Sequence, residues 1–237
     1  MEAIKKQNNS TEIVQSKRFG SEFIEIISKD EVENCKKSFS KLTFGGSIKP
    51  KEFIALDYQA FRVIIENEKS EFCKFYFLPD NSEFMTWGLT FSDNGDLKKD
   101  LDEFYLLAGN TFIKQSVNIN DIRNSNDFIN FKRKIEVSTT NNNCSEMILY
   151  KRQIILDYLN FMETLAELTN SKIDHLEFHH IYFDDFTRND GALLNYMQPK
   201  EKRLSFAVKT VFVVNKETNR NLQDLLNAYY DAGDLKP

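Results

Sequence analysis

All three histidines of this 237-residue chain fall in one short segment, residues 174–185. Imidazole nitrogens commonly bind zinc, iron and copper, and carboxylate oxygens complete many of these sites. If the segment is an extended strand, His175, Glu177 and His179 lie on one face, because successive side chains point to opposite sides. These three residues, together with Asp184, are therefore the candidate ligands of a divalent metal ion.

Strand geometry restricts how such a site could form. A strand advances about 3.3 Å per residue, so His175 and His179 would be roughly 13 Å apart, too far to share one ion directly. Either imidazole could still share an ion with Glu177 if other elements supply further ligands. A helix would align the two histidines, but the alternating aromatic residues of the segment favour a strand. The sequence therefore predicts no bound cofactor and leaves a divalent metal as the alternative.

The other catalytic patterns in the chain are incomplete. The cysteines Cys35, Cys73 and Cys144 are far apart and lack the spacing of zinc ligands. No G-x-S-x-G motif and no phosphate-binding glycine loop occurs. Pro79-Asp80 and the later Asp96-x-Lys98 match a short Mg²⁺-binding pattern of nucleases. Asp96 follows an Asn-Gly turn, whereas that chemistry needs a position within a strand, so the pattern does not indicate a nuclease.

Large aromatic residues are the second group with a possible binding role. The chain has 21 phenylalanines and one tryptophan, which predicts an aromatic-rich core. Trp87, Tyr229 and Tyr230 are candidate binding residues, because protein interfaces favour large aromatics. The alternatives are that Trp87 packs in the core and that the two tyrosines dock the last helix. The aromatic segment Phe72 to Phe91 could also line the pocket of a small-ligand carrier.

Composition places the chain among soluble globular proteins, with 41% hydrophobic and 28% charged residues. A net charge of −5 disfavours nucleic acid as the main partner, because phosphate binding needs a basic face. Two short basic clusters, 132–134 and 200–203, are interpreted as solvated charge. No apolar window reaches the roughly 18 residues that a membrane helix needs. With a polar N-terminus and dispersed cysteines, we expect a cytoplasmic protein that is not associated with a membrane.

The residue pattern predicts one α+β domain, with a largely antiparallel sheet and several packed helices, because helices and strands come in blocks. Residues 1–18 are expected to be a flexible leader, and residues 19–237 the single domain. Helical spacing predicts helices at 21–42 (one or two), 51–66, 97–108, 145–168 and 221–230. Alternating or aromatic runs predict strands at 72–78, 84–91, 111–117, 131–138, 173–183 and 204–214.

These observations favour a non-enzymatic binding or regulatory protein that acts through a protein surface. The partner is expected to be another protein or a second copy of the chain. The scarcity of glycine, eight residues in all, supports this interpretation, because phosphate cradles depend on glycine. The alternative is a metal-dependent hydrolase or nuclease that uses the segment from His175 to Asp185.

Overall fold

Two antiparallel sheets and six helices make up the described part of the chain, which confirms the predicted α+β class. The computed structural model describes residues 25–27, 29–45, 50–80, 84–95, 104–140, 146–184, 202–214, 220–231 and 234–236. The strands are β1 (Glu25–Ile27), β2 (Phe53–Asp57), β3 (Phe72–Asp80), β4 (Phe84–Ser92), β5 (Phe104–Ala108), β6 (Thr111–Lys114), β7 (Met147–Lys151), β8 (Ser171–Phe183), β9 (Arg203–Val214), β10 (Tyr229–Asp231) and β11 (Asp234–Lys236). The helices are α1 (Lys29–Ser40), α2 (Tyr58–Asn67), α3 (Ile119–Arg123), α4 (Asn126–Thr139), α5 (Arg152–Thr169) and α6 (Arg220–Leu226).

The first sheet has the strand order β1-β10-β9-β8-β2, and the second has the order β11-β7-β3-β4-β5-β6. The long pair β8 and β9 forms the centre of the first sheet, and the hairpin of β3 and β4 forms the centre of the second. β2 is an edge strand among the described strands, because β8 is the one described strand that pairs with it. This position matters for the candidate site described below.

An aromatic cluster joins the two sheets. Phe75 and Trp87 come from the second sheet, and Phe178 and Phe206 come from the first. The ring centroids of Trp87 and Phe206 are 4.6 Å apart, and those of Phe178 and Phe206 are 5.1 Å apart. Tilted and edge-to-face pairs of this kind add about 0.5–1.5 kcal/mol each beyond the burial of apolar area. The prediction of an aromatic-rich core is therefore confirmed.

Helices α2 and α5 pack against each other beside this cluster. The Tyr58 hydroxyl donates a hydrogen bond to the Leu159 carbonyl at 3.1 Å. Arg62 forms an ion pair with Glu163 at 2.8 Å. These contacts hold α2, the element that directly follows β2, against α5.

Several predicted elements are confirmed by the strands at the two sheet centres. The hairpin predicted at 72–78 and 84–91 is the β3 and β4 pair. The strands predicted at 173–183 and 204–214 are β8 and β9. Each has a strong alternating or aromatic pattern, so local sequence was sufficient to identify it.

The strand predicted at 131–138 is wrong, because these residues belong to helix α4. The buried residues Phe128, Phe131, Ile135 and Thr139 recur at helical spacing. The side chain of Ser125 caps the helix by accepting a hydrogen bond from the Phe128 amide at 3.2 Å. The short period-two window missed both signals.

Two predicted helices begin with strands. In the helix predicted at 51–66, residues 53–57 form β2, and Asp57 caps α2 by accepting a hydrogen bond from the Ala60 amide at 2.7 Å. In the segment 145–168, β7 likewise precedes α5. In both cases a strand passes directly into a helix, so the apolar residues suit either period.

The remaining helix predictions also need correction. Residues 104–108, predicted as helical, form β5, and residues 25–27 form β1 ahead of α1. The last helix ends at Leu226, so Tyr229 and Tyr230 lie in β10. The strand predicted at 111–117 ends at Lys114.

The leader at 1–18, Cys144, the Asp96-x-Lys98 pattern and Lys200 lie outside the described residues. Among the described helices, none is long and apolar enough to cross a membrane.

Gly88 in β4 allows close packing within the second sheet. A Cβ atom at this position would lie 2.5 Å from Phe104 Cε2 and 2.8 Å from Leu78 Cδ1. We expect Gly88→Ala to lower the free energy of unfolding by about 2 kcal/mol, because both neighbours are buried and overpacking forces them to move. Urea denaturation followed by circular dichroism measures the change. Gly95→Ala is the control, because its nearest atom would be at an ordinary 3.4 Å. Equal stability of the Gly88 variant and the wild type would contradict the packing.

Candidate functional site

The predicted candidate ligands lie along β8, and strand alternation sorts the histidines onto two faces. His175, Glu177 and His179 share one face, which we call the histidine row. Glu177 lies between the two imidazoles, with its Oε2 atom 2.8 Å from His179 Nε2 and its Oε1 atom 3.6 Å from His175 Nε2. Asp174 contacts the other side of His175, with 2.8 Å between Asp174 Oδ2 and His175 Nδ1.

The histidine row is a chain of side-chain pairs along the strand. Among the residues that the structure describes, no three His, Cys, Asp or Glu side chains are placed to hold one metal ion. Asp184, the fourth candidate, lies beyond the end of β8, where its Oδ2 atom accepts a hydrogen bond from Ser38 Oγ at 3.4 Å. The metal site therefore stays a prediction that needs ligands beyond this row.

His179 is the buried member of the row, with 7% of its side chain exposed. Its ring lies 5.1 Å from the Phe53 ring and 5.2 Å from the Tyr229 ring. Burial lowers the pKa of His179, although the hydrogen bond with Glu177 opposes this shift. Because the carboxylate only accepts, the neutral imidazole carries its hydrogen on Nε2, and Nδ1 has no hydrogen-bond partner within the described part of the chain.

His180 points to the opposite face and forms part of the core. Its Nδ1 atom donates to the Lys51 carbonyl at 2.7 Å, and its Nε2 atom accepts from Trp87 Nε1 at 2.9 Å. Both bonds are satisfied only by the Nδ1-protonated neutral ring. Burial accordingly lowers the pKa of His180 to about 4. His180 therefore joins the two sheets, and both of its ring nitrogens are used in hydrogen bonds within the core.

The three candidate binding aromatics are all buried. Trp87 is 1% exposed and lies in the aromatic cluster between the sheets. Tyr230 packs against Tyr158 with ring centroids 5.1 Å apart. Tyr229 lies beneath two cations, Lys36 and Lys209, each 5.9 Å from its ring centroid. In this arrangement their large apolar areas stabilise the fold.

The aromatic segment proposed as a ligand pocket is also packed. Phe75 contacts the rings of Phe61, Trp87, Tyr150, Phe178 and Phe206, all within 6.2 Å between centroids. Burial raises the pKa of the Cys73 thiol in the same hairpin well above its usual value. A thiol of this kind is a poor nucleophile, because the thiolate is the reactive form.

The basic cluster at 132–134 lies on helix α4, and its residues have different surroundings. Lys132 and Arg123 both bind the buried carboxylate of Glu146, with 2.8 Å between Arg123 Nη2 and Glu146 Oε2. Burial opposes the charge of Glu146, but these two hydrogen bonds lower its pKa overall. Arg133 and Lys134 line a separate surface cavity of about 400 Å³. One third of the cluster is thus structural.

A larger cavity, of about 510 Å³, lies along the open edge of β2, and we call it the β2 edge groove. One wall is the strand itself, from Lys51 to Ala55, and the other wall comes from the second sheet. The second wall and the floor comprise Met85, Thr86, Leu107, Gly109 and Asn110. The last two residues form the tip of the hairpin of β5 and β6, where Gly109 adopts a φ of +66°. Most of the lining is apolar, and its polar members are Lys51, Glu52, Thr86 and Asn110.

Hydrogen bonds at the two ends of β2 show which backbone groups face the groove. The Glu52 carbonyl accepts from the His180 amide at 2.9 Å, so the even-numbered residues point their backbone toward β8. The Asp57 amide donates to the Asn110 carbonyl at 2.8 Å, outside the sheet. By the same alternation, the N–H and C=O groups of Phe53 and Ala55 point into the groove. No strand of the described chain pairs with them.

Sequence reasoning missed this groove because it predicted β2 as part of a helix. One sequence signal marks the end of the strand: Asp57 is a good N-cap for the helix that follows. The alternation of buried with partly exposed side chains over 53–57 is visible only in the structure, because four of these five residues are apolar. That β2 lies at an edge depends on strand order, which the local pattern does not contain.

Comparisons with protein-family models, with curated proteins and with solved structures find no match for this chain. The function must therefore be inferred from the groove and the histidine row themselves.

Proposed function

We propose that this protein is a non-enzymatic binding protein that holds an extended segment of a partner protein along the β2 edge groove. The observation that carries the proposal is that the backbone of Phe53 and Ala55 has no partner strand in the described part of the chain and borders a mostly apolar cavity. Strand addition to a sheet edge is a recurrent mode of peptide recognition, in which main-chain hydrogen bonds give affinity and side-chain pockets give specificity.

The groove has the features that this binding mode needs. The backbone groups of Phe53 and Ala55 can form four hydrogen bonds with a partner strand, because each residue offers one donor and one acceptor. Ile54 and Leu56 point inward and are buried, so the inner face of a new strand would meet apolar surface. The Phe53 side chain is 38% exposed and offers an aromatic contact on the outer face.

The rest of the molecule supports a binding role over catalysis in this proposal. His180 uses both ring nitrogens in the core, and the thiol of Cys73 is buried. A partner strand on β2 would also cover part of an exposed sheet edge, which proteins otherwise protect against aggregation. The proposal includes a cytoplasmic location, because the buried thiol of Cys73 is not part of a disulfide. It includes no nucleic-acid partner, because the net charge is −5.

The test is Ala55→Pro, which removes a backbone donor that faces the groove and leaves the ladder with β8 intact. Proline is tolerated on an edge strand whose N–H faces outward. A peptide that binds the wild type is first selected from random linear peptides displayed on phage. Its affinity for Ala55→Pro should be about tenfold or more lower, because a lost backbone hydrogen bond costs about 1–3 kcal/mol. Fluorescence anisotropy measures the affinity.

Two controls separate binding from folding. Ala55→Thr keeps the backbone donor and should bind as the wild type does. In the wild type, peptide binding should slow amide hydrogen exchange at Phe53 and Ala55, whereas Ile54 and Leu56 already bond to β8. Unchanged exchange at Phe53 and Ala55 would contradict the proposal. Elemental analysis showing stoichiometric metal that is lost in His179→Ala would favour the metal-dependent enzyme instead.

A further inference from the structure

The β2 edge groove is closed at one end, and this restricts what can occupy it. The Asp57 amide is the next outward-facing donor after Ala55, but the Asn110 carbonyl already accepts its hydrogen at 2.8 Å. The position that a partner strand would take opposite Asp57 is therefore filled by the hairpin tip. A strand paired with Phe53 and Ala55 cannot continue past this point in the plane of the sheet.

We infer that the occupant is the amino-terminal segment of a partner protein, running antiparallel to β2; the inference rests on the proposed function. A chain that ends at the closed end needs no bend there, unlike an internal segment. In the antiparallel orientation the end that reaches Asp57 is the amino terminus. In the parallel orientation it is the carboxyl terminus.

The charge at the closed end decides between these two orientations. Asp57 uses its Oδ1 atom to cap α2, and its partly exposed carboxylate places a negative charge at this end of the strand. Its cross-strand neighbour His175 is bonded to a second carboxylate, Asp174. A partner's α-ammonium group is attracted here, whereas a terminal carboxylate is repelled.

The groove also defines which side chains the partner presents. Counting from the amino terminus opposite Leu56, the first and third residues point to the inner face, toward Leu107 and Met85. These positions fit apolar residues such as valine. The second and fourth residues point to the outer face, beside Ala55 and Phe53, where threonine or an aromatic residue fits the strand.

Three synthetic peptides test the inference on the full-length protein. The first is Val-Thr-Val-Thr-Ser-Lys with a free amino group and a fluorescein label on the lysine. The second is its N-acetylated twin, and the third has the reverse sequence with the label at its amino end and a free carboxylate. We expect the free-amino peptide to bind about tenfold more tightly than the acetylated one, because a charge-assisted hydrogen bond is lost.

Asp57→Asn provides the matched variant, because asparagine keeps the helix cap and removes the charge. In this variant the ratio of the two affinities should fall to about one, with the acetylated peptide unaffected. Equal affinities in the wild type, a tighter carboxylate peptide, or an unchanged ratio in Asp57→Asn would overturn the inference. If the inference is overturned but the peptides bind the wild type and not Ala55→Pro, the proposed function stands. If no peptide protects the amides of Phe53 and Ala55 from exchange, both the inference and the proposed function fail. A wild-type dimer that Ala55→Pro dissociates would show that the occupant is a second copy, and would also overturn the inference.

Discussion

Replacing Trp87 with alanine is expected to lower the free energy of unfolding by about 4 kcal/mol, the cost typical of removing a large buried aromatic side chain. Trp87 is 1% exposed, and its ring contacts Phe75, Phe178 and Phe206 across the two sheets. Its removal opens a cavity at the point where both sheets meet. Urea denaturation followed by far-ultraviolet circular dichroism measures the loss.

Trp87→Phe divides this effect into packing and hydrogen bonding. Phenylalanine keeps most of the ring contacts but leaves His180 Nε2 without the donor that lies 2.9 Å away. An unsatisfied buried acceptor costs about 1–3 kcal/mol, so this variant should lie between the wild type and Trp87→Ala. A Trp87→Ala variant as stable as the wild type would show that Trp87 does not join the sheets.

The predictions that succeeded depend on local pattern alone. β8 and β9 are long and rich in aromatic and β-branched residues, so they could be recognised as strands without knowledge of their neighbours. The segment 131–138 failed because its helix begins earlier, at Asn126, and the cap at Ser125 lay outside the window that was interpreted as a strand. β2 failed because only five residues separate the start of the strand from the start of α2, and the apolar residues of both fit one helical face.

The candidate site was predicted only in part, for a related reason. Strand alternation correctly placed His175, Glu177 and His179 on one face of β8. The same alternation places His180 on the opposite face of β8. The hydrogen bond that His180 accepts there comes from Trp87, 93 residues away in the chain, and local spacing does not predict it. The β2 edge groove combines an edge strand with a hairpin tip from the other sheet, so its existence depends on sheet order and packing. Neither property is contained in the spacing of residues within one segment.

Acid should destabilise the protein through His180 before most carboxylates are protonated. Burial lowers the pKa of His180 from 6.5 to about 4, so the unfolded chain binds more protons than the folded chain between these two values. Stability therefore rises with pH in this window: it is complete above about pH 6.5 and falls as the pH drops toward 4. At about 1.4 kcal/mol per pH unit, the loss attributable to this one residue is roughly 3 kcal/mol.

His180→Gln tests this acid dependence, because the neutral amide can accept from Trp87 and donate to the Lys51 carbonyl without titrating. The variant should be less stable than the wild type at pH 7, where the imidazole fits both bonds better, and its stability should fall less steeply between pH 6.5 and 4. Carboxylates titrate in both proteins, so the difference between the two profiles isolates the histidine. Parallel profiles would contradict a neutral, buried His180. If the stabilities of the two proteins instead converge at low pH, the stability that the neutral imidazole of His180 contributes at pH 7 has been lost through its protonation.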